Sequence, residues 1–265
     1  MGSFPNVIYG DVGDEKVAKS TKVSDFLGQR MVIAEGNKEY IHNRAATSAS
    51  LIAGVVVGGQ AETAGHGNVS GSGLLTSATT TENLSGATDV YLISQSAAVL
   101  KDHYADGILQ VLGPAGSSAY AGRTYSIKSN ESAAVSSRFK IVLKAGESLN
   151  VDLKPGTTLC SLRRNKYASG VVWAATQPIL GVTTAAVSSG FYFWAAKKGD
   201  HSCWQSATVA TVGLPVMAST ADAGSVTVAS SAAASTEIWA TQAVIGVARG
   251  AAAASQAIIV DLNIS

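Results

Sequence analysis

Reactive chemistry in this chain would have to come from four histidines, two cysteines, 18 carboxylates and four tryptophans. His42, His66, His103 and His201 lie too far apart in sequence to suggest a metal pair, and neither His-Glu-x-x-His nor Cys-x-x-Cys occurs. Asp102-His103 and Asp200-His201 are adjacent pairs, but consecutive strand residues point to opposite faces, so adjacency does not make a dyad. These histidines read as turn or surface residues. Cys160 and Cys203 supply no disulfide framework and no metal spacing. A bond between them stays open, and free buried thiols are the expectation. Gly65-His66-Gly67-Asn68-Val69-Ser70-Gly71 departs from G-x-G-x-x-G and no helical pattern follows it. There is no Walker loop and no G-x-S-x-G elbow. The carboxylates scatter over turns, without the facing pair that glycoside hydrolysis needs. Trp173, Trp194, Trp204 and Trp239 all fall in the last third. They read as a hydrophobic centre, with a sugar-binding platform as the alternative. No catalytic, cofactor-binding or metal-binding residue is therefore assigned, and no cofactor is expected.

The composition points the same way. Charged residues are 14%, against ~25% in ordinary soluble domains. Hydrophobic residues reach 46% but aromatics only 6%, so much of the apolar content is alanine. A weakly charged surface of this kind suits broad contact with other subunits. A net charge of +1 gives no electrostatic footprint for nucleic acid. The longest aliphatic run, Leu51 to Val57, is far short of a membrane span. The first residues carry neither a secretory pattern nor a myristoylation pattern, which leads to the expectation of synthesis in a reducing, cytoplasm-like space.

The elements that position these residues centre on a stretch written twice. Trp173-Ala174-Ala175-Thr176-Gln177-Pro178-Ile179-Leu180-Gly181-Val182 and Trp239-Ala240-Thr241-Gln242-Ala243-Val244-Ile245-Gly246-Val247 put their glycines 65 residues apart. Each copy continues through small residues into a second apolar run, Phe191 to Trp194 and Ala257 to Leu262. Each is expected to be a strand, a loop and a returning strand. A glycine inside such a strand marks the close approach of another backbone or a ring. Two copies are too few for a solenoid, so two related hairpins in one β domain are expected.

The remainder reads as antiparallel β. Residues 1–29 are an extended arm that orders only on a neighbour, with a short helix open around Glu15–Leu27. Arg30–Ala34 and Lys38–Ile41 flank a Gly36-Asn37 hairpin turn. A short helix is open at Arg44–Ser50, followed by a strand at Leu51–Val57. Residues 58–88 form a long Gly/Ser/Thr-rich surface loop. Asp89 to Leu100 read as a strand and a helical turn. Tyr125/Ile127, Phe139/Ile141/Leu143 and Leu149/Val151/Leu153 alternate with polar residues, which is the pattern of half-buried strands. Asp106-Gly107, Ala145-Gly146 and Lys154-Pro155-Gly156 mark turns, and Arg163 to Lys166 form a solvated basic turn. Gly199-Asp200 reads as a turn, Val212–Met217 as an edge strand with a proline, and Ile258–Ile264 as a terminal strand pinned in a sheet. The expected fold is all-β, mainly antiparallel, as β-sandwich or β-barrel domains with an extended N-terminal arm. The expected divisions are 1–50, 51–170 and 171–265.

Residues 178–262 resemble the decoration, or cement, proteins of tailed-phage heads. The likeness rests on Ile179-Leu180-Gly181-Val182, Lys197-Lys198-Gly199-Asp200, Gly213-Leu214-Pro215-Val216 and Val244-Ile245-Gly246-Val247-Ala248. Tyr9-Gly10-Asp11, Leu27 to Val32 with the hairpin to Tyr40, and Gly190 to Trp194 resemble marine phage virion proteins. The resemblance implies a structural virion protein on the phage capsid surface, assembled in the host cytoplasm. It would bind the major capsid protein and itself, as a homotrimer, and would not be an enzyme. Nucleic acid and membrane are not expected partners. A tail tube, head fibre or major capsid component is the alternative, and a carbohydrate-binding β protein a further one.

Overall fold

The computed structural model describes residues 7–22, 26–60, 74–76, 83–94, 97–114, 121–154, 158–174, 177–206, 212–228, 244–251, 253 and 255–265. The expected all-β, mainly antiparallel class holds throughout these residues. The chain forms two compact units: Met1–Gln60 with Lys166–Ser265, and Ala61–Asn165. This cuts the chain differently from 1–50, 51–170 and 171–265. The reason is strand pairing, which puts early and late residues in one sheet.

The first unit begins with β1 (Val7–Tyr9), a 3-10 turn (Asp14–Lys16), β2 (Arg30–Ile33), β3 (Lys38–Arg44) and β4 (Val56–Gly59). The second unit is then inserted whole. Its strands are β5 (Leu74–Thr76), β6 (Asp89–Ile93), β7 (Ile108–Pro114), β8 (Thr124–Asn130), β9 (Arg138–Leu143) and β10 (Thr158–Arg163). They close an antiparallel barrel in the order β10-β5-β6-β9-β8-β7. The first unit resumes with β11 (Gly170–Val172), β12 (Ile179–Thr183), β13 (Tyr192–Trp204), β14 (Pro215–Ala218), β15 (Val226–Val228), β16 (Val244–Ala248) and β17 (Ala257–Asn263).

The barrel is built by the alternation that its sequence announces. Tyr125, Ile127, Phe139, Ile141 and Leu143 point inward and pack with Leu109, Val111 and Cys160. Leu149 and Leu153 join this core from an irregular segment, not from a strand. Buried asparagines hold the connections. Asn83 donates to the carbonyl of Tyr91 (2.9 Å) and accepts from its N–H (2.7 Å). Asn130 accepts from Tyr104 N–H (2.8 Å) and donates to the Leu100 and Glu131 carbonyls (2.8 Å each). Such bonds satisfy backbone groups that the ladders leave unpaired. Residues 58–88 are not one long loop. Gly58 and Gly59 end β4, β5 is a stave between β10 and β6, and Asn83 is buried. Residues 61–73 and 77–82 lie outside the described residues.

In the first unit β1, β2, β3, β13, β17, β16, β14 and β15 form one sheet path, with β4, β11 and β12 joined beside it. The 30–41 hairpin is present, with Gly36 and Asn37 at positive φ, and β17 is pinned between β13 and β16. The described residues of the expected arm, 7–22 and 26–29, lie along their own chain. β1 pairs in parallel with β2, and Lys19 and Tyr192 exchange backbone bonds of 3.0 and 2.8 Å. Only the 3-10 turn is helical among the described residues there, and Arg44–Ser50 holds no helix. Asp89–Leu100 yields β6 but no helical turn among its described residues.

Gly199-Asp200 is not a turn. It lies inside β13, just past a bulge at which Ala196 faces Tyr40 and Lys198 faces Glu39. The extra residue bends the strand, so that its first half pairs with β3 and its second with β17. β14 is not an edge, since β15 and β16 flank it. Pro215 is tolerated because it is the first residue of that strand. A turn at Ala223-Gly224 leads into β15.

Candidate interaction surface

The hairpins written twice are paired in one register. A step of 65 residues carries the pairs Val182↔Ala196 and Thr183↔Ala195 of β12/β13 onto Val247↔Asp261 and Ala248↔Val260 of β16/β17. The likeness reaches two strands further than the sequence suggested. β4 lies against β12 through Gly58↔Ile179, Gly181↔Val57 and Val182↔Val56. β14 lies against β16 through Met217↔Val244, Val216↔Gly246 and Pro215↔Val247. Both ladders skip one residue at the same place, Leu180 and Ile245, and both skipped side chains are buried. β11 then pairs with β4 as β15 pairs with β14, with Val172↔Val57 answering Val216↔Val228.

The first unit thus contains two four-strand repeats, β11-β4-β12-β13 and β15-β14-β16-β17. The barrel interrupts the first repeat between β4 and β11. Backbone bonds repeat with the strands. Gly54 N–H donates to Thr183 O and Gly213 N–H to Ala248 O, both at 2.8 Å. The repeated glycine has the reason anticipated for it. A Cβ on Gly181 would stand 2.7 Å from the Ala196 carbonyl oxygen, and one on Gly246 would collide with the equivalent oxygen of Asp261.

The two repeats differ in what covers them. In the first, Val182 and Trp194 are 0% and 4% exposed. They pack in one core with Ile245, Ile258, Val260 and Leu262 of the second repeat. The opposite face of the first repeat, through Leu180, Phe193 and Ala195, is closed by Leu51, Val55 and Val187. In the second repeat the positions that answer Val182 and Trp194 are Val247 and Ile259, which are 41% and 45% exposed. Val244 and Trp204 on the same face are 43% and 39% exposed. Arg249 spans two carboxylates beside them, Asp200 at 3.5 Å and Asp261 at 3.4 Å. Exposed ion pairs of this kind add little stability of their own. This face is therefore an open strip in which four exposed apolar side chains stand among Ser202, opposite Ile259, and charges of both signs, with Asp261 opposite Val247.

A second exposed group lies on the N-terminal segment, where Tyr9 and Val12 are 84% and 63% exposed. The inner side of this segment covers the sheet. Glu15 is buried and accepts from Gly13 N–H at 2.7 Å. A cavity of about 190 Å³ remains between Ile8, Asp14, Val17, Lys19, Met31 and Trp194.

His42 and His201 are core residues, not turn or surface residues. His42 donates from Nδ1 to the Phe26 carbonyl (3.1 Å) and packs against Tyr192 and Trp194, with ring centroids 5.7 and 5.0 Å away. Its Nε2 and the Tyr40 hydroxyl are buried without a hydrogen-bond partner among the described residues. His201 donates to the Lys198 carbonyl (3.2 Å) and meets Tyr40 edge-on at 5.4 Å. Desolvation lowers the pKa of both histidines and raises that of Tyr40. The inward His201 and the exposed Asp200 take opposite faces, so they form no dyad. His66 lies outside the described residues. Cys160 and Cys203 are free and buried in the cores of different units, and burial pushes both thiols up to about 12.

Trp173 and Trp194 belong to the core, with Trp173 Nε1 donating to the Gln177 carbonyl (2.8 Å). Trp204 is on the open face, and Trp239 lies outside the described residues. No cluster of three or more His, Cys, Asp or Glu able to hold a metal occurs among the described residues. The barrel carries an open polar groove of about 650 Å³, where Lys101 and Lys140 alternate with Asp102 and Glu131. The open face had a sequence signal, since Val247 and Ile259 repeat apolar types at the positions of Val182 and Trp194. Their exposure had none. No protein-family model matches the chain, and no characterised protein or solved structure is significantly similar to it.

Proposed function

We propose that this chain is a structural virion protein, a decoration or cement protein of a tailed-phage head that binds capsid subunits and copies of itself. The observation that carries this reading is that the first unit leaves two apolar surfaces open, on the N-terminal segment and on the second repeat. It does so in a chain of which only 14% is charged. A lone soluble subunit gains nothing from exposed Tyr, Val, Ile and Trp at such positions, whereas a shell subunit buries them. Specific interfaces bury about 800 Å² per partner, and repetition around a symmetry axis turns modest contacts into avidity. A homotrimer is the form proposed. Tyr9 and Val12 lead the contact with the major capsid protein.

The test is co-sedimentation of the purified chain with heads of the parent phage assembled without it. Saturable binding is expected, weakened at least about tenfold by Tyr9→Ser with Val12→Ser. A chain with no affinity for heads overturns the proposal. The exposed indole of Trp204 supports one other reading, a carbohydrate contact. Glycan binding that Trp204→Ala abolishes would favour it.

A further inference from the structure

We propose that the open face of the second repeat is where copies of this chain meet each other, the strip around Val247 and Ile259 packing against the same strip of a neighbouring copy. The inference rests on the reading of the chain as an assembled structural subunit. It adds which surface makes the self-contact and separates that surface from the one turned to the capsid.

The argument comes from the duplication. The face that carries Val182 and Trp194 in the first repeat is buried against the second repeat of the same chain. The matching face of the second repeat keeps apolar residues at the same register positions, Val247 and Ile259, yet nothing among the described residues covers them. A sheet face meant for water carries polar residues at those positions. The chain therefore already shows what such a face packs against: another copy of the same repeat. The inner face of each repeat is consumed, one in the core shared by the repeats and one under Leu51, Val55 and Val187. What a neighbouring copy can offer is the same open face, so the contact is face to face about a rotation axis. The border suits this arrangement. Arg249 stands between Asp200 and Asp261, so the strip presents both signs of charge, and an approaching copy brings an arginine to carboxylates instead of opposing like charges.

The test is the molar mass of the full chain by light scattering after gel filtration, over micromolar concentrations, for wild type, Ile259→Lys and Val247→Lys. The wild type is expected to run as a multimer. Either substitution puts a charge at the centre of the contact and is expected to raise the dissociation constant about 100-fold or more, to leave single chains, and to leave the melting of diluted single chains unchanged. Both positions are more than 40% exposed, and the second variant decides the matter if the first fails to fold. A wild type that stays a single chain at the highest concentration overturns the inference, and so does a multimer that both substitutions leave intact. Head binding by that single chain would leave the capsid reading standing while this one falls. A multimer dispersed by the substitutions, without any affinity for heads, would do the reverse. A dispersed dimer in place of a trimer supports the face and removes the three-fold order.

Discussion

Three glycines of the duplicated repeat separate the two reasons a β protein keeps glycine. Gly213 sits at φ +87° with no atom within 4 Å of where a Cβ would be, so Gly213→Ala meets backbone strain alone. That strain is about 1–2 kcal/mol. Gly246 is not in the left-handed region, but its Cβ would meet the Asp261 carbonyl oxygen and, at 2.8 Å, Val260 Cγ1. A carbonyl held in the β16/β17 ladder yields only if the pairing opens, and overpacking of this kind costs about 1–3 kcal/mol. Gly181 carries both burdens. Its φ is +150°, and its Cβ would lie 2.7 Å from Ala196 O and 2.8 Å from the Ala195 Cβ, where ordinary contact begins at 3.4 Å. The expected order of destabilisation is Gly181→Ala first, at about 2–5 kcal/mol, with the other two each smaller. In a unit of this size that corresponds to a fall in Tm of about 5–15 °C. Calorimetry on the three variants reads this directly. The transition of the barrel, whose core none of the three touches, serves as the internal reference. A Gly181→Ala protein within about 0.5 kcal/mol of wild type would refute the close-approach account of the repeat.

Two further outcomes follow from the buried groups and the insertion. Burial lowers His42 and His201 below the ordinary histidine value of 6.5, against the opposing pull of their bonds to the Phe26 and Lys198 carbonyls. Lys22 adds to the lowering at His42. Around His201, Lys38 lowers the value while Glu15 and Asp200 raise it. The unfolded chain then takes up protons first, so their contribution to stability is present above pH 6.5 and is lost as the pH falls below it. The urea midpoint of the first unit is expected to drop between pH 7.5 and 5, and the slope to flatten in a His42→Gln/His201→Gln protein; an equally steep slope in that variant would contradict this assignment. Residues 61–165, expressed alone, are expected to give a cooperative β-type unfolding transition, because the barrel closes its own sheet and has its own core. A broad, non-cooperative melt would show that it depends on the rest of the chain.

The barrel was legible because its strands obey period two with one wet face. Phe139, Ile141 and Leu143 announce β9 without any help from distant residues. The doubled hairpin was legible because Leu180-Gly181-Val182 and Ile245-Gly246-Val247 preserve the glycine that the close approach demands. The rest of the repeat was hidden. β4 and β14 share little beyond Gly54-Val55-Val56-Val57 against Gly213-Leu214-Pro215-Val216, and 110 residues separate Gly59 from its partner Gly170 where seven separate Ala218 from Val226. Period and propensity are local signals, and no local signal tells that Gly58 lies beside Ile179. The Gly199-Asp200 step of β13 reads as a turn for the same reason. A glycine and an aspartate look alike in both settings, and only pairing with β3 and β17 on either side of the bulge keeps the strand running.

That insertion costs less than its length suggests, and this bears on how the surfaces divide between two tasks. The closure entropy of a connection grows as the logarithm of its length, so extending it from seven residues to 110 costs about 2 kcal/mol, which a barrel that folds on its own core offsets without help from the repeat. The repeat pair keeps its geometry: both members retain the skipped residue, the close-packed glycine and the paired bonds from Gly54 and Gly213. What the pair does not keep is symmetry of its ends. Stacked repeats need a polar outer face at each end to remain single. Here one end is closed by Leu51, Val55 and Val187, while the other ends in Val247 and Ile259. A fold that spends residues closing one end and leaves the other apolar has a direction of growth, and a rotation axis at the open end is the arrangement that closes that growth.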